Sequence, residues 1–306
     1  MRDHMEALKR ARLSLEGLSI GDALGGWCEY DTDEHFDALI ETRTLPTHLW
    51  RFTDDTNMAL SIYEILRVYG HIDQDRLMSS FVGHFDRFRH YGRSTYNWFN
   101  RCIDGEPWRE ITKTLFPEGG GSYGNGSAMR VAPLGAYFAD DLPTLVEQAH
   151  LSAEITHCHP EGLAGAITVA AAAAIGWQAH REKLTRSEFL NLILPHIPVS
   201  RVRDGVQRAL TLPAGSNTTL LASFALGNGR QIAAWDTVPL ALWISGTYLY
   251  DYEEAIWQAI SHNGDVDTLA AIVGGIVALS AGEAAIPTAW RQHREPLPRW
   301  AIGDEA

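Results

Sequence analysis

The sequence predicts an all-α fold, a compact bundle of ten or more packed helices. Apolar residues recur at steps of three and four in segment after segment, the mark of one buried helix face. Period-2 runs of β-branched residues are almost absent. Hydrophobic residues make up 45% of the 306 positions and charged residues 21%, which supplies a sizeable core and excludes disorder as the main state.

The elements follow in order. Leu8, Ala11, Leu15, Leu18 and Asp22 form one face of a first helix. Asp22 therefore lies on the apolar side, where a buried carboxylate needs partners, and a turn is expected around Gly25 and Gly26. A second helix begins near Thr53 and sets Met58, Ile62, Ile65 and Tyr69 on one face. A third, from about Arg76, carries Leu77, Phe81 and Phe85. Residues 142–153 and 160–180 read as helices, 189–197 and 202–210 as shorter ones. Pro239 suits the first position of a helix that continues with Leu240, Trp243, Ile244 and Tyr248. Residues 252–261 and 268–279 complete the set. No repeat or Ser- or Pro-rich linker divides the chain, so residues 1–306 read as a single domain, with 287–306 as a surface tail.

Lys and Arg number 25 against 38 Asp and Glu, a net charge of -13. Such a chain repels phosphate backbones, which argues against a nucleic-acid partner. A phosphorylated substrate would need a local device, a metal ion or a helix N-terminus, to offset that field. Cys28, Cys102 and Cys158 are scattered, with no paired spacing for a disulfide framework or zinc site, which suits a reducing compartment. The N-terminus lacks an apolar signal core. The longest apolar run, Leu163 to Ala179, is mostly Ala and Gly and too short for a membrane span. No membrane partner and a cytoplasmic location are expected.

Five stretches carry chemistry. Thr53-Asp54-Asp55-Thr56 stands directly before a helical pattern. The commoner reading is an N-cap, but a cap needs one side chain and here four consecutive residues bear oxygen. Asn263-Gly264-Asp265-Val266-Asp267-Thr268 repeats that grammar before another helix. Two sites, each with two Asp and a Thr, suggest an all-oxygen cage of the kind hard divalent cations prefer. Competing motifs fail on context: DDxxD lacks its last Asp at Met58, and the EF-hand pattern does not fit. The glycine-rich run from Gly119 through Ser122, Tyr123, Gly124, Asn125 and Gly126 to Arg130 permits left-handed turns and close backbone approach to a ligand. It is neither a dinucleotide fingerprint nor a Walker loop; a plain surface loop is the alternative. His157 and His159 lack the i,i+4 spacing of a helical zinc site. Gly21-Asp22-Ala23-Leu24-Gly25-Gly26 ends in a glycine turn followed by Glu29, whose plain reading is an exposed loop residue.

In this order the five stretches resemble the ADP-ribosylglycohydrolase family, from about Leu13 to Leu279. The resemblance implies an all-α fold with a binuclear Mg²⁺ centre, sometimes Mn²⁺, in a cleft. It implies hydrolysis of the glycosidic bond at C1″ of ADP-ribose attached to a protein side chain or a small molecule. Carried over, Thr53, Asp54 and Asp55 match the first metal motif, and Asp265, Asp267 and Thr268 the second. Glu29 matches an acidic residue beside the metals. Ser122, Tyr123, Gly124, Asn125 and Gly126 match the loop that holds the diphosphate and ribose, and His157 a histidine lining the distal-ribose side. Val266 departs from the usual Gly-Gly-Asp-Thr-Asp-Thr, and His159 beside His157 is less usual; neither removes a ligand. Glu29 or Asp55 is expected to position or deprotonate the attacking water. An N-linked arginine is the favoured leaving group, with serine-linked substrates and O-acetyl-ADP-ribose as alternatives. The rival functions are a crystallin-like binder without catalysis and a Mg²⁺-dependent phosphohydrolase.

Overall fold

The computed structural model describes residues 3–31, 40–116, 120–215, 218–261 and 263–303. Gly119, expected in the glycine loop, and the last three residues lie outside them. The described chain is all-α, with no strand among the described residues.

α1 (His4–Gly26) and α14 (Val266–Ala281) form the central antiparallel pair. Their contact is set by glycines one turn apart. A methyl group added at Gly17 would lie 2.4 Å from the Gly274 carbonyl oxygen, at Gly21 2.2 Å from that of Ala270, and at Gly25 2.6 Å from Asp267 Cα. Only bare backbone permits so close an approach. The consequence is positional: the far end of α1 abuts the N-terminus of α14, where Asp265 and Asp267 sit.

α2 (Asp54–Tyr69), α6 (Ala132–Tyr137) and α8 (Pro160–Glu182) pack round this pair. α8 is long and apolar enough to cross a membrane, but 83% of its apolar window is buried in the protein interior. Its Ala and Gly side chains let α12 (Ala234–Thr247) and α14 approach; a Cβ at Gly165 would touch that of Ala234 at 2.8 Å. The outer layer comprises α3 (Gln74–Gly83), α7 (Leu142–Glu154), α9 (Arg186–Ile193), α10 (Arg201–Thr211) and α13 (Tyr252–Ile260).

The structure corrects several expectations. α1 does not turn at Gly25 and Gly26; it runs through them into a wider π-type turn, Trp27–Asp31. α12 begins five residues before Pro239, which therefore lies inside the helix. Pro239 leaves the Trp235 carbonyl without its helical donor, and its ring packs where a Gly205 side chain would sit, 2.4 Å from that Cβ position. Phe85 lies beyond α3, and Tyr69 is 39% exposed rather than on the buried face of α2. Three helices had no expectation: α4 (Arg93–Ile103), α5 (Trp108–Thr114) and α11 (Thr219–Leu226). α4 buries only Trp98 and Phe99, and α11 turns Leu220, Leu221 and Phe224 to solvent, so neither has the full apolar stripe that periodicity detects.

Residues 287–303 are not a loose surface tail. They form α15 (Thr288–His293) and α16 (Arg299–Ile302), with Trp290 buried against Trp50 and Tyr252. Trp50 N–H donates to the His293 carbonyl at 2.7 Å, and Phe52 N–H to Glu295 Oε1 at 2.9 Å, while Arg89 pairs with the same carboxylate. This segment thus braces the backbone that leads into Thr53.

Candidate metal centre and substrate cleft

Both Asp-rich motifs open helices, and both helix ends are capped by a carboxylate from elsewhere. Thr53 is the N-cap residue of α2, yet its side chain caps nothing. Asp22, fully buried, accepts from Thr53 N–H (3.1 Å), Thr56 N–H (2.9 Å), Thr53 Oγ1 (2.7 Å) and Thr56 Oγ1 (2.5 Å). Asp265 is the N-cap residue of α14 and likewise makes no side-chain cap bond; Glu29 Oε2 accepts from Val266 N–H at 3.0 Å. Helix N-termini leave free N–H groups that seek acceptors. Because Asp22 and Glu29 take that role, the carboxylates of Asp54, Asp55, Asp265 and Asp267 are left for the cleft floor. Burial pushes Asp22 up to about 6, and its threonine donors oppose the rise.

The four aspartates converge with Asp22 and Glu29. Carboxylate oxygens of Asp22, Asp55 and Asp267 lie within 4.8 Å of one another, as do those of Glu29, Asp265 and Asp267. Asp267 belongs to both trios. Asp54 lines the cleft and belongs to neither. Thr53 Oγ1 also lies 3.1 Å from Asp55 Oδ2, and Thr268 N–H donates to Asp267 Oδ1 at 2.7 Å. Burial raises Asp54, Asp55 and Asp267 well above the usual carboxylate range; next come Asp22 for Asp54 and Asp55, and Asp55 for Asp267. So many like charges in one buried place favour the protonated forms unless a cation neutralises them. Among the described residues Asp55 Oδ1 is buried with no hydrogen-bond partner, which costs about 1–3 kcal/mol if nothing binds it. An all-oxygen donor set with an orphaned acceptor fits a hard divalent cation.

The glycine loop forms the facing wall. Gly120 and Gly121 have φ of 69° and 105°, and a Cβ at Gly121 would lie 2.2 Å from Cys158 Sγ. Ser122 is buried, and its Oγ accepts from Gly124 N–H at 3.2 Å. Tyr123 is half-exposed, its ring 4.9 Å from Trp235 and 6.0 Å from Phe116. Asn125 turns inward: its Nδ2 donates to Asp265 Oδ2 at 2.5 Å and Thr237 Oγ1 at 2.9 Å. Asn125 thus ties the loop to the second Asp motif instead of presenting its amide N–H groups to the cleft. After a 3₁₀ turn, Asn125–Ser127, the next helix begins only at Ala132. His157 is buried behind the loop; burial, then the Arg130 guanidinium, lowers it to about 3, so the ring is neutral. His159 caps α8, accepting from Glu161 N–H at 3.1 Å.

Glu29, Asp54, Asp55, Asp265, Asp267 and Thr268 line one cleft of about 1210 Å³ with residues 122–126 and His157, while Asp22 and Thr53 lie behind its floor. It also receives side chains that sequence reasoning missed. Residues 90–97, from the segment before α4 and its first turn, form one wall; Arg93 is among them. Residues 229–232 form another, with Arg230 Nη2 donating to Asn263 Oδ1 at 2.9 Å. That second loop is pressed onto the Asp motif: a Cβ at Gly229, where φ is 87°, would lie 2.5 Å from Asp265 Cβ. Gly92 before a polar helix and the Gly227–Gly229 pair were the available signals, and neither names a ligand.

Fold and site thus define an all-helical protein with an acid-floored cleft. The profile of the ADP-ribosylglycohydrolase family matches residues 3–304, and the chain belongs to that family. Similar proteins include ADP-ribosylhydrolase ARH3 of Homo sapiens, 26% identical over 94% of this chain and 90% of that one. ADP-ribosylhydrolase ARH3 of Gallus gallus is 28% identical over 80% and 74%. ADP-ribosylarginine hydrolase Tri1 of Pseudomonas putida (strain GB-1) is 26% identical over 95% and 77%. A solved structure titled ADP-ribosylglycohydrolase-related protein complex shares the fold, with a TM-score of 0.64, 24% identity, and coverage of 94% of this chain and 92% of that one. The family and these relatives make the protein a hydrolase of glycosyl bonds that acts on ADP-ribosyl groups.

Proposed function

We propose that the protein releases ADP-ribose from ADP-ribosylated substrates with two divalent cations, Mg²⁺ or in its place Mn²⁺, held by the cleft floor. The observation that carries this reading is the pair of carboxylate trios sharing Asp267. Asp55, Asp265 and Asp267, with Asp54, Thr53 and Thr268 beside them, would hold the ions. When bound, the cations would neutralise the floor and supply Lewis-acid character toward the sugar. Amides of the glycine loop, with Arg93 and Arg230, would offset the chain's negative field for the diphosphate.

Glu29 is the exposed carboxylate of the group and Asp55 the buried one. A base must reach water, so Glu29 is assigned the attacking water and Asp55 the metal. Water oxygen bonds to C1″ as the bond from C1″ to the leaving atom breaks; Glu29 takes the water proton and returns it to the leaving group. A guanidine is the proposed leaving group, because the Tri1 relatives are named for ADP-ribosylarginine.

The test follows free ADP-ribose by mass spectrometry from arginine- and serine-ADP-ribosylated proteins and O-acetyl-ADP-ribose, with Mg²⁺ or EDTA. Mg²⁺-dependent release from the arginine linkage supports the whole reading; release from another substrate alone removes the linkage assignment. Glu29→Gln is expected to lose about 10²–10⁴-fold in kcat, and Asp55→Asn to lose Mg²⁺ affinity together with kcat. Release of phosphate or a nucleoside monophosphate would replace the reading with the phosphohydrolase; ADP-ribose binding without turnover would replace it with the binder.

A further inference from the structure

The buried side of the glycine loop holds a chain of three polar groups that metal binding does not use. Arg130 is fully buried and among the described residues pairs with no carboxylate; its Nη2 donates to Thr156 Oγ1 at 2.8 Å and to the Ser152 carbonyl at 3.2 Å. Thr156 Oγ1 lies 2.7 Å from His157 Nδ1. His157 Nε2 faces the loop: a Cβ at Gly124 or at Gly126 would lie 3.3 Å from it.

We propose that Arg130 and Thr156 lock His157 in the tautomer with its proton on Nε2, making it a one-way hydrogen-bond donor aimed between Gly124 and Gly126 at an acceptor oxygen of the ligand. The argument is donor counting. A guanidinium can only donate, so Thr156 Oγ1 is the acceptor in its contact with Arg130. The hydroxyl proton then needs its own acceptor in a buried place, and among the described residues the only other polar atom bonded to Oγ1 is His157 Nδ1. Nδ1 therefore accepts, and in a neutral imidazole the proton belongs to Nε2. The opposite tautomer would point two N–H donors and the hydroxyl proton around one oxygen and leave that proton without an acceptor, a buried loss the fold avoids. Nε2 has no protein partner among the described residues, His157 lines the cleft with Gly124 and Gly126, and a Cβ on either glycine would press on Nε2 at 3.3 Å. The two glycines thereby keep the donor open.

Arg130 and Thr156 act through His157 and are positioning residues. They convert a residue type that usually switches with pH into a fixed donor, since a ring buried beside a guanidinium does not take a second proton near neutrality. An acceptor of ribose-hydroxyl or phosphate type is selected and a donor at the same place is rejected. Only the identity of the ligand rests on the proposed function; the tautomer does not.

The test reads the tautomer first, without ligand. Protein labelled with ¹⁵N-histidine is examined by long-range ¹H–¹⁵N correlation, and His157 is assigned by the signals lost in His157→Gln. A protonated Nε2 and a bare Nδ1, unchanged between about pH 6 and 8, is expected. Thr156→Val, which keeps shape and removes the hydroxyl, is expected to release the lock, give mixed tautomers and weaken ADP-ribose binding in Mg²⁺ about tenfold, the worth of one good hydrogen bond. Thr156→Ser restores both. A proton on Nδ1 in the unmodified protein overturns the inference, as does a folded Thr156→Val with tautomer and affinity unchanged. Because the first readout needs no ligand, absent hydrolysis would remove the proposed function and leave the tautomer result standing.

Discussion

The glycine seam between α1 and α14 gives the sharpest test of how the site is positioned. Gly→Ala in a helix interior ordinarily helps by about 0.5–1 kcal/mol, through propensity and a less free unfolded chain. Gly83, at the exposed end of α3, has nothing within 4 Å of an added Cβ, so Gly83→Ala should gain up to that amount. At Gly21 the added carbon would sit 2.2 Å from a backbone oxygen and 2.7 Å from its carbon. Ordinary contact is about 3.5 Å, so the helices must part by about 1 Å along the central seam of the core. Overpacking of this kind costs about 1–3 kcal/mol, and helix propensity returns at most 1 of it. Gly25→Ala meets a comparable clash, but against Asp267 Cα and the Val266 oxygen. There the displaced backbone is the Asp motif itself. Urea unfolding in EDTA should rank the variants Gly83→Ala above wild type, with Gly21→Ala and Gly25→Ala below it by about 1–2 kcal/mol. Mg²⁺ titration should separate the last two: about a tenfold or greater loss for Gly25→Ala and a smaller one for Gly21→Ala, since a misplacement of 1 Å is felt most where it falls. If Gly21→Ala is as stable as wild type, the seam is not close-packed and the argument for how α1 places Asp267 fails.

Three further predictions follow from the same structure. Asp267 is common to both carboxylate trios, so Asp267→Asn should weaken Mg²⁺ binding more than Asp54→Asn or Asp265→Asn; calorimetry giving equal losses would remove its shared role. Trp290 is 2% exposed, so Trp290→Ala should cost about 3–5 kcal/mol in urea unfolding, and a loss under about 1 would mean that the C-terminal segment is not docked. Metal-free stability should fall as pH rises above about 6.5, where the unfolded histidine no longer takes up a proton and the raised aspartates still hold theirs in the fold. Asp54, Asp55 and Asp267 are raised in the fold, so the folded chain keeps protons the unfolded chain has lost; His157, held to about 3, opposes this only below about 6.5, where the unfolded ring takes up its proton. Saturating Mg²⁺ should flatten or reverse the slope, and a metal-free melting temperature that climbs with pH across that window would contradict the carboxylate shifts.

Residue types carried much of this site into view and could not carry its wiring. Thr53-Asp54-Asp55-Thr56 reads equally well as a helix cap and as a metal motif, because both uses need short oxygen-bearing side chains. The choice is made by Asp22, 31 residues earlier, which takes the Thr53 amide and hydroxyl. Its position on the apolar face of α1 was legible and so was its need for partners; which partners was a matter of tertiary contact. Glu29 shows the same limit. Its plain reading as a loop residue fails because the chain continues as a π-type turn, and its carboxylate then reaches Val266 N–H, 237 residues away in sequence. The seam that makes both contacts possible was written as Gly17, Gly21 and Gly25, a spacing of four that apolar periodicity ignores since glycine has no side chain to bury. Arg93 and Arg230 were illegible for another reason: they come from a polar helix start and an irregular loop, where no pattern separates a cleft lining from an ordinary surface. What unites the legible and illegible parts is one physical demand. Two helix N-termini pointed at a common floor present free amides that would claim the nearest carboxylates; Asp22 and Glu29, seven residues apart and close to two helical turns along the end of α1, satisfy those amides from outside. Asp54, Asp55 and Asp265 are thereby kept from capping their own helices, while Asp267 accepts from Thr268 N–H, and the cluster is left to face the cleft.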